Sequence, residues 1–124
     1  MSVYQRNRSI SSVEYHYKAT QIYPRACKVA VSRHIPKTYR FVLSVPFANT
    51  ARDLLYHINK AEEFKESDRA KFIEHLQYAH AACTQAFDDL QCILEVLPET
   101  KPSSFLELLD MLDKESTLLE NKIG

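Results

Sequence analysis

The sequence predicts an all-α protein, a single-domain four-helix bundle of up-down-up-down topology, and three observations carry that prediction. The only glycine among the 124 residues is Gly124, the last one. Tight β-turns, bulges and phosphate-cradling loops all draw on glycine, so all-β and α/β nucleotide-binding folds are disfavoured. Apolar residues recur at steps of three and four in four separate stretches, which is the signature of amphipathic helices. A hydrophobic share of 45% in a chain of this length suits one domain with one core.

The first helix is expected from about Ser12 to His34. Tyr15, Ala19, Ile22, Ala26 and Val29 form one stripe along it. Pro24 interrupts the run without shifting its phase. At ~100° per residue it falls opposite the stripe, on the outer side, so it either bends the helix around the core or divides it in two. Residues 1–11 are polar and basic and are expected to form a flexible arm, leaving 12–124 for the bundle. Pro36 holds Ile35 away from helical geometry and ends the first helix.

The second helix begins near Tyr39, or later with Ser44 as N-cap and Pro46 in its first turn. Its stripe is Phe47, Ala51, Leu54, Ile58 and Ala61, and it ends near Lys65. Ser67 or Asp68 caps the third helix, marked by Phe72, Leu76, Ala79, Cys83, Phe87, Leu90, Leu94 and Leu97. Ser103 or Ser104 caps the fourth, with Glu107 as the reciprocal partner of Ser104. Its stripe is Phe105, Leu108, Leu112, Leu119 and Ile123, with Leu109 beside it. Connections of ~2–8 residues make neighbouring helices antiparallel.

Cys27, Cys83 and Cys92 are an odd set without a CxxC pair, which reads as three reduced, mostly buried thiols. No stretch approaches the ~20 apolar residues of a membrane span, and no secretory leader is visible. The expectation is a cytoplasmic protein without membrane contact.

Several catalytic and metal readings fail on spacing. Arg52 and His57 resemble the Arg-x4-His motif of HEPN-family ribonucleases, and Arg69 with His75 gives a second pairing of similar spacing. On a regular helix, residues five apart are separated by ~140°, so Arg52 and His57 do not converge naturally, and geometry weakens the second pairing as well. His80 and Cys83 have a spacing that metal ligands use, but no third and fourth ligand matches it. None of the five histidines has a Glu three residues before it, which argues against a di-iron bundle. No active site is read, and the chain is expected not to be an enzyme and to need no cofactor.

The net charge of zero conceals a division. Residues 1–40 carry eight basic residues against Glu14, or +7, and residues 41–124 carry eight against fifteen, or −7. Lys18, Arg25 and Lys28 edge the first apolar stripe, and Arg33, Lys37 and Arg40 surround the first turn. Tyr17, Tyr23 and Tyr39 are interleaved with them. Lysine and arginine neutralise phosphates and aromatic rings stack on bases, so this segment suits a backbone-tracking nucleic-acid contact. The competing reading pairs these cations with an acidic face such as Glu62, Glu63, Glu66 and Asp68, within the bundle or between subunits.

The run from Ile35 to Leu43 (IPKTYRFVL), followed by Ala51 to Ala61 (ARDLLYHINKA), resembles the first two helices of the Avd-like four-helix bundle proteins. The segment from Asp68 to Leu97 is similar in length and leucine spacing to the third helix of that family, and the resemblance spans about residues 12–124. It implies a non-catalytic accessory protein of a diversity-generating retroelement. Such a protein forms a homopentamer and binds a reverse transcriptase, the template RNA and the cDNA to support mutagenic cDNA synthesis. By the same resemblance Lys18, Arg25, Lys28, Arg33, Lys37, Arg40 and Arg52 would contact the enzyme or the RNA. Two alternatives remain: a HEPN-like ribonuclease of a toxin–antitoxin type system, and a bundle that only mediates protein–protein contacts.

Overall fold

The computed structural model describes the backbone of residues 3–98 and 100–124, and side chains from Val13 onward except Glu99. Four helices make up the fold: α1 (Val3–Ala30), α2 (Val45–Phe64), α3 (Arg69–Val96) and α4 (Ser103–Ile123). Each packs against the next and α4 returns to α1, and among the described residues the diagonal helices do not bring their backbones together. Cross-helix contacts give the direction of each neighbour. Tyr15 meets Glu62 and His16 meets Asn59 between α1 and α2. Thr50 meets Asp89 and His57 meets His75 between α2 and α3. His80 meets Glu120 and Cys83 meets Leu112 between α3 and α4. In each pair the partner's number falls as the first number rises, so the bundle runs up-down-up-down.

All five expected stripe residues of α1 are buried, as are all five of α2. Fully burying one large apolar side chain contributes roughly 1.5–3 kcal/mol, so these stripes dominate the stability of the fold. Pro24 lies inside α1 on its exposed side, and the helix runs through it unbroken. The backbone of α1 already begins at Val3, whereas the expected arm over residues 1–11 lies outside the residues described in full.

Other boundaries differ from expectation for local reasons. The helix α1 ends at Ala30, four residues early, because the chain turns at Ser32. The Ser32 backbone accepts from Ile35 N–H, and its hydroxyl accepts from His34 N–H at 3.2 Å. Such short side-chain bonds compete with the helical ladder. Ile35 then folds inward and is buried in the core. Ser44 is buried and caps nothing. A short 3₁₀ turn (Lys37–Tyr39) leads instead into a π-turn (Arg40–Ser44), closed by Val45 N–H donating to Arg40 O. Pro46 explains the widening: in a regular α-turn its ring would press on the carbonyl of Val42, four residues back.

Asp68 caps α3 by accepting from Lys71 N–H at 3.1 Å. The expected serine cap of α4 is not formed; Ser103 is already helical and Pro102 precedes it without a side-chain cap. On α3 the inward positions include Ala86 and Ile93, with Phe87 only partly buried. On α4, Glu115 occupies the core between Leu112 and Leu119. No helix is long and apolar enough to cross a membrane, among the described residues.

Candidate nucleic-acid and partner interface

The basic residues of the first forty positions fall into two groups. Arg25 and Lys28 are exposed on α1, where they line a groove of about 350 Å³ against Ser104, Phe105 and Glu107 of α4. Arg33 lies just beyond, beside a cleft of about 270 Å³ between the α1–α2 and α3–α4 connections, with His34, Leu97 and Pro98. The ring of His34 stands edge-on to Phe105 and joins these two hollows. Lys37 is exposed on the adjoining 3₁₀ turn, and Arg40 is half-buried with its Nε lacking a hydrogen-bond partner. These five cations therefore gather at one end of the bundle.

The other two candidates stand apart. Lys18 is two turns from Arg25 along α1, about 10 Å at helical rise, in a hollow shared with Glu14 and Asp113. Arg52 is exposed on α2, which packs on the flank of α1 away from α4. The structure thus brings Arg25, Lys28, Arg33, Lys37 and Arg40 to one end of the bundle and leaves Lys18 and Arg52 away from it.

None of the seven makes an ion pair within 4 Å among the described residues; those present are Lys60–Glu63, His80–Glu120 and Lys114–Asp110. Of the acidic residues that could neutralise them, Glu107 shares the groove of Arg25 and Lys28 without reaching ion-pair distance, Glu66 is exposed, and three others have partners of their own. Glu62 accepts a hydrogen bond from Tyr15, Glu63 holds Lys60, and Asp68 caps α3. Tyr17 is exposed on the same side of α1 as Lys28, its hydroxyl accepting from Gln21 at 3.0 Å. Tyr39 is exposed beside Lys37, whereas Tyr23 packs against the core. Two of the three tyrosines are therefore open to stacking.

The ribonuclease-like pairings do not assemble. His57 turns toward α3, with its Nδ1 3.3 Å from His75 Nδ1, and Arg52 projects from another side of α2. Arg69 lies over the ring of Phe72. Tyr56, Phe64 and Tyr78 surround the two histidines at ring separations of 5.2–5.9 Å. Burial, and then the neighbouring His75, push the pKa of His57 below its usual 6.5. His80 bonds Glu120 and Ser116, and the Cys83 thiol donates to Leu112 O, so these two do not share a ligand position. Among the described residues no three His, Cys, Asp or Glu side chains converge as a metal site.

Glu115 was not anticipated. Both its carboxylate oxygens are buried without hydrogen-bond partners, and the residue is 0% exposed. Burial raises its pKa to about 8; Lys18 opposes that rise and Glu14 adds to it. The available signal was the interval between Leu112 and Leu119 in the α4 stripe, which leaves one inward position for Glu115. The thiols also differ from expectation: Cys83 is buried, Cys27 half-buried and Cys92 exposed.

Comparison with protein-family models, with characterised proteins and with solved structures gives no match for this chain.

Proposed function

We propose that this chain is a non-catalytic accessory scaffold of a diversity-generating retroelement, holding a reverse transcriptase and its template RNA, with cDNA as a further ligand. The resemblance over Ile35–Ala61 supplies the family, and with it a cytoplasmic homopentamer. One observation carries the binding role: Arg25, Lys28, Arg33, Lys37 and Arg40 share one end of the bundle with no ion-pair partner among the described residues. A cluster of cations without ion-pair partners, with the exposed Tyr39 beside Lys37, favours phosphate backbones and unstacked bases.

The test is binding of structured RNA and of the cognate reverse transcriptase by the wild type and by a quadruple alanine variant at Arg25, Lys28, Arg33 and Arg40. The reading expects wild-type RNA affinity to fall with rising salt, and the variant to lose both ligands while keeping its helical content. Intact binding by the folded variant would sink it.

A further inference from the structure

Phe41, the most exposed large apolar side chain among the described residues, stands on the π-turn with Val42 beside it and Val45 opening α2. Phe41 is 86% exposed, Val42 64% and Val45 47%. Phe41 and Val45 are one turn apart and Val42 lies between them, so the three form a continuous apolar knob, bordered by Lys37 and Arg40. Apolar clusters of this kind on a soluble surface mark places where something docks.

A complementary surface lies on the other side of the bundle. Between α3 and α4 runs an open groove of about 570 Å³, floored by Leu94, Leu106 and Leu109 and edged by Asp88 and Glu95. Leu106 is 46% exposed. The one lysine at its edge, Lys101, donates to Leu94 O at 2.9 Å at the end of α3. The groove is thus apolar with acidic edges, and the knob is apolar with basic edges.

The knob projects from the start of α2, and the groove uses the C-terminal half of α3 and the start of α4. In an up-down-up-down bundle these are the same end, so knob and groove lie at one level on different faces. One chain cannot join its own two surfaces, but neighbouring copies standing side by side can.

We propose that the Phe41–Val42–Val45 knob of one copy seats in the acidic α3–α4 groove of a second copy. The contact is heterologous, so each copy offers one knob and one groove and the assembly closes as a ring or continues as a chain. This assigns surfaces to the self-association included in the proposed function and in that respect rests on it.

The experiment measures mass by sedimentation equilibrium for the wild type, Phe41→Glu, Leu106→Glu and a one-to-one mixture of the two variants. Both substituted side chains are exposed, and circular dichroism checks folding; Phe41→Gln and Leu106→Gln replace either variant that unfolds. The wild type should exceed a dimer and each variant should be monomeric. The mixture should form a dimer and nothing larger, because one intact knob meets one intact groove. A monomeric wild type, variants that still assemble, or a mixture that stays monomeric would each overturn the proposal. Sedimentation of the wild type with phosphatidylserine vesicles, lost in Phe41→Glu, from a protein monomeric on its own would make the occupant an anionic membrane instead. RNA binding by the monomeric variants is read separately. If the wild type assembles as described but ignores RNA, the scaffold reading fails while the docking stands.

Discussion

His57 and His75 face each other across α2 and α3 with their Nδ1 atoms 3.3 Å apart, so one ring must donate to the other. Two imidazolium rings cannot keep that bond, since both nitrogens are then donors. The lowered pKa of His57 means that the folded chain binds this proton less readily than the unfolded chain, whose value is near 6.5. The stability it contributes is therefore present above pH 6.5 and is lost as the pH falls below it. Between pH 7.5 and pH 5 thermal melts should show the wild type losing stability relative to a His57→Phe variant, in which every other titrating group is unchanged. Partial exposure limits the effect to less than about 1 kcal/mol. An equal slope in wild type and variant would refute it.

Glu115 acts in the opposite sense. Its folded pKa of about 8 lies above the ordinary 4.5, so its burial costs little below pH 4.5 and progressively more up to about pH 8. A rise of that size corresponds to on the order of 4–5 kcal/mol. Glu115→Gln should match the wild type near pH 4.5 and melt well above it at pH 8. Glu115→Leu, continuous with Leu112 and Leu119, should gain at both. If the Gln variant shows no pH-dependent gain, the carboxyl is not held as described.

The same residues show what the sequence made legible. The stripes of α1 and α2 were legible because every inward position among the described residues is apolar and the period is regular. The α4 stripe was read with a missing member, because an inward Glu is indistinguishable from a surface one until the neighbouring helices enclose it. The π-turn depends on how Pro46 meets the carbonyl of Val42, a relation that no propensity encodes. In the candidate interface, the spacing of Lys18, Arg25 and Lys28 was legible, but their separation into two hollows depends on which α4 residues face each of them, Asp113 beside Lys18 and Glu107 beside Arg25 and Lys28. His57 and His75 were each assigned an arginine on their own helix. Their true pairing follows from lying nearly equidistant from the α2–α3 turn.

The three thiols should react in the order of their exposure. Cys92 is exposed on the outer edge of the α3–α4 groove, Cys27 is half-buried and Cys83 is enclosed. Burial, then Glu115 and Asp113, push the Cys83 thiol up to about 12, so it carries almost no thiolate near neutrality. Iodoacetamide at pH 7.5 followed by peptide mass spectrometry should label Cys92 first and Cys83 only in denaturant. Early labelling of Cys83 would mean that the α3–α4 contact opens under native conditions. In an assembled wild type, Cys92 should also be protected relative to the Phe41→Glu variant.

Geometry divides the seven cations unequally, and RNA binding should follow that division. Each lost phosphate contact lowers the slope of log affinity against log salt by about one and weakens binding nearly uniformly across RNA sequences. Single alanine variants at Arg25, Lys28 and Arg33, which border the contiguous hollows, should each show this change. Lys18→Ala should have a smaller effect, because Glu14 and Asp113 already share its hollow. Arg52→Ala, on α2 across α1 from that surface, should leave the salt slope unchanged. An equal loss at all seven positions would indicate a diffuse field instead of one surface. A loss confined to Arg52 would move the interface to the outer face of α2, next to the apolar knob.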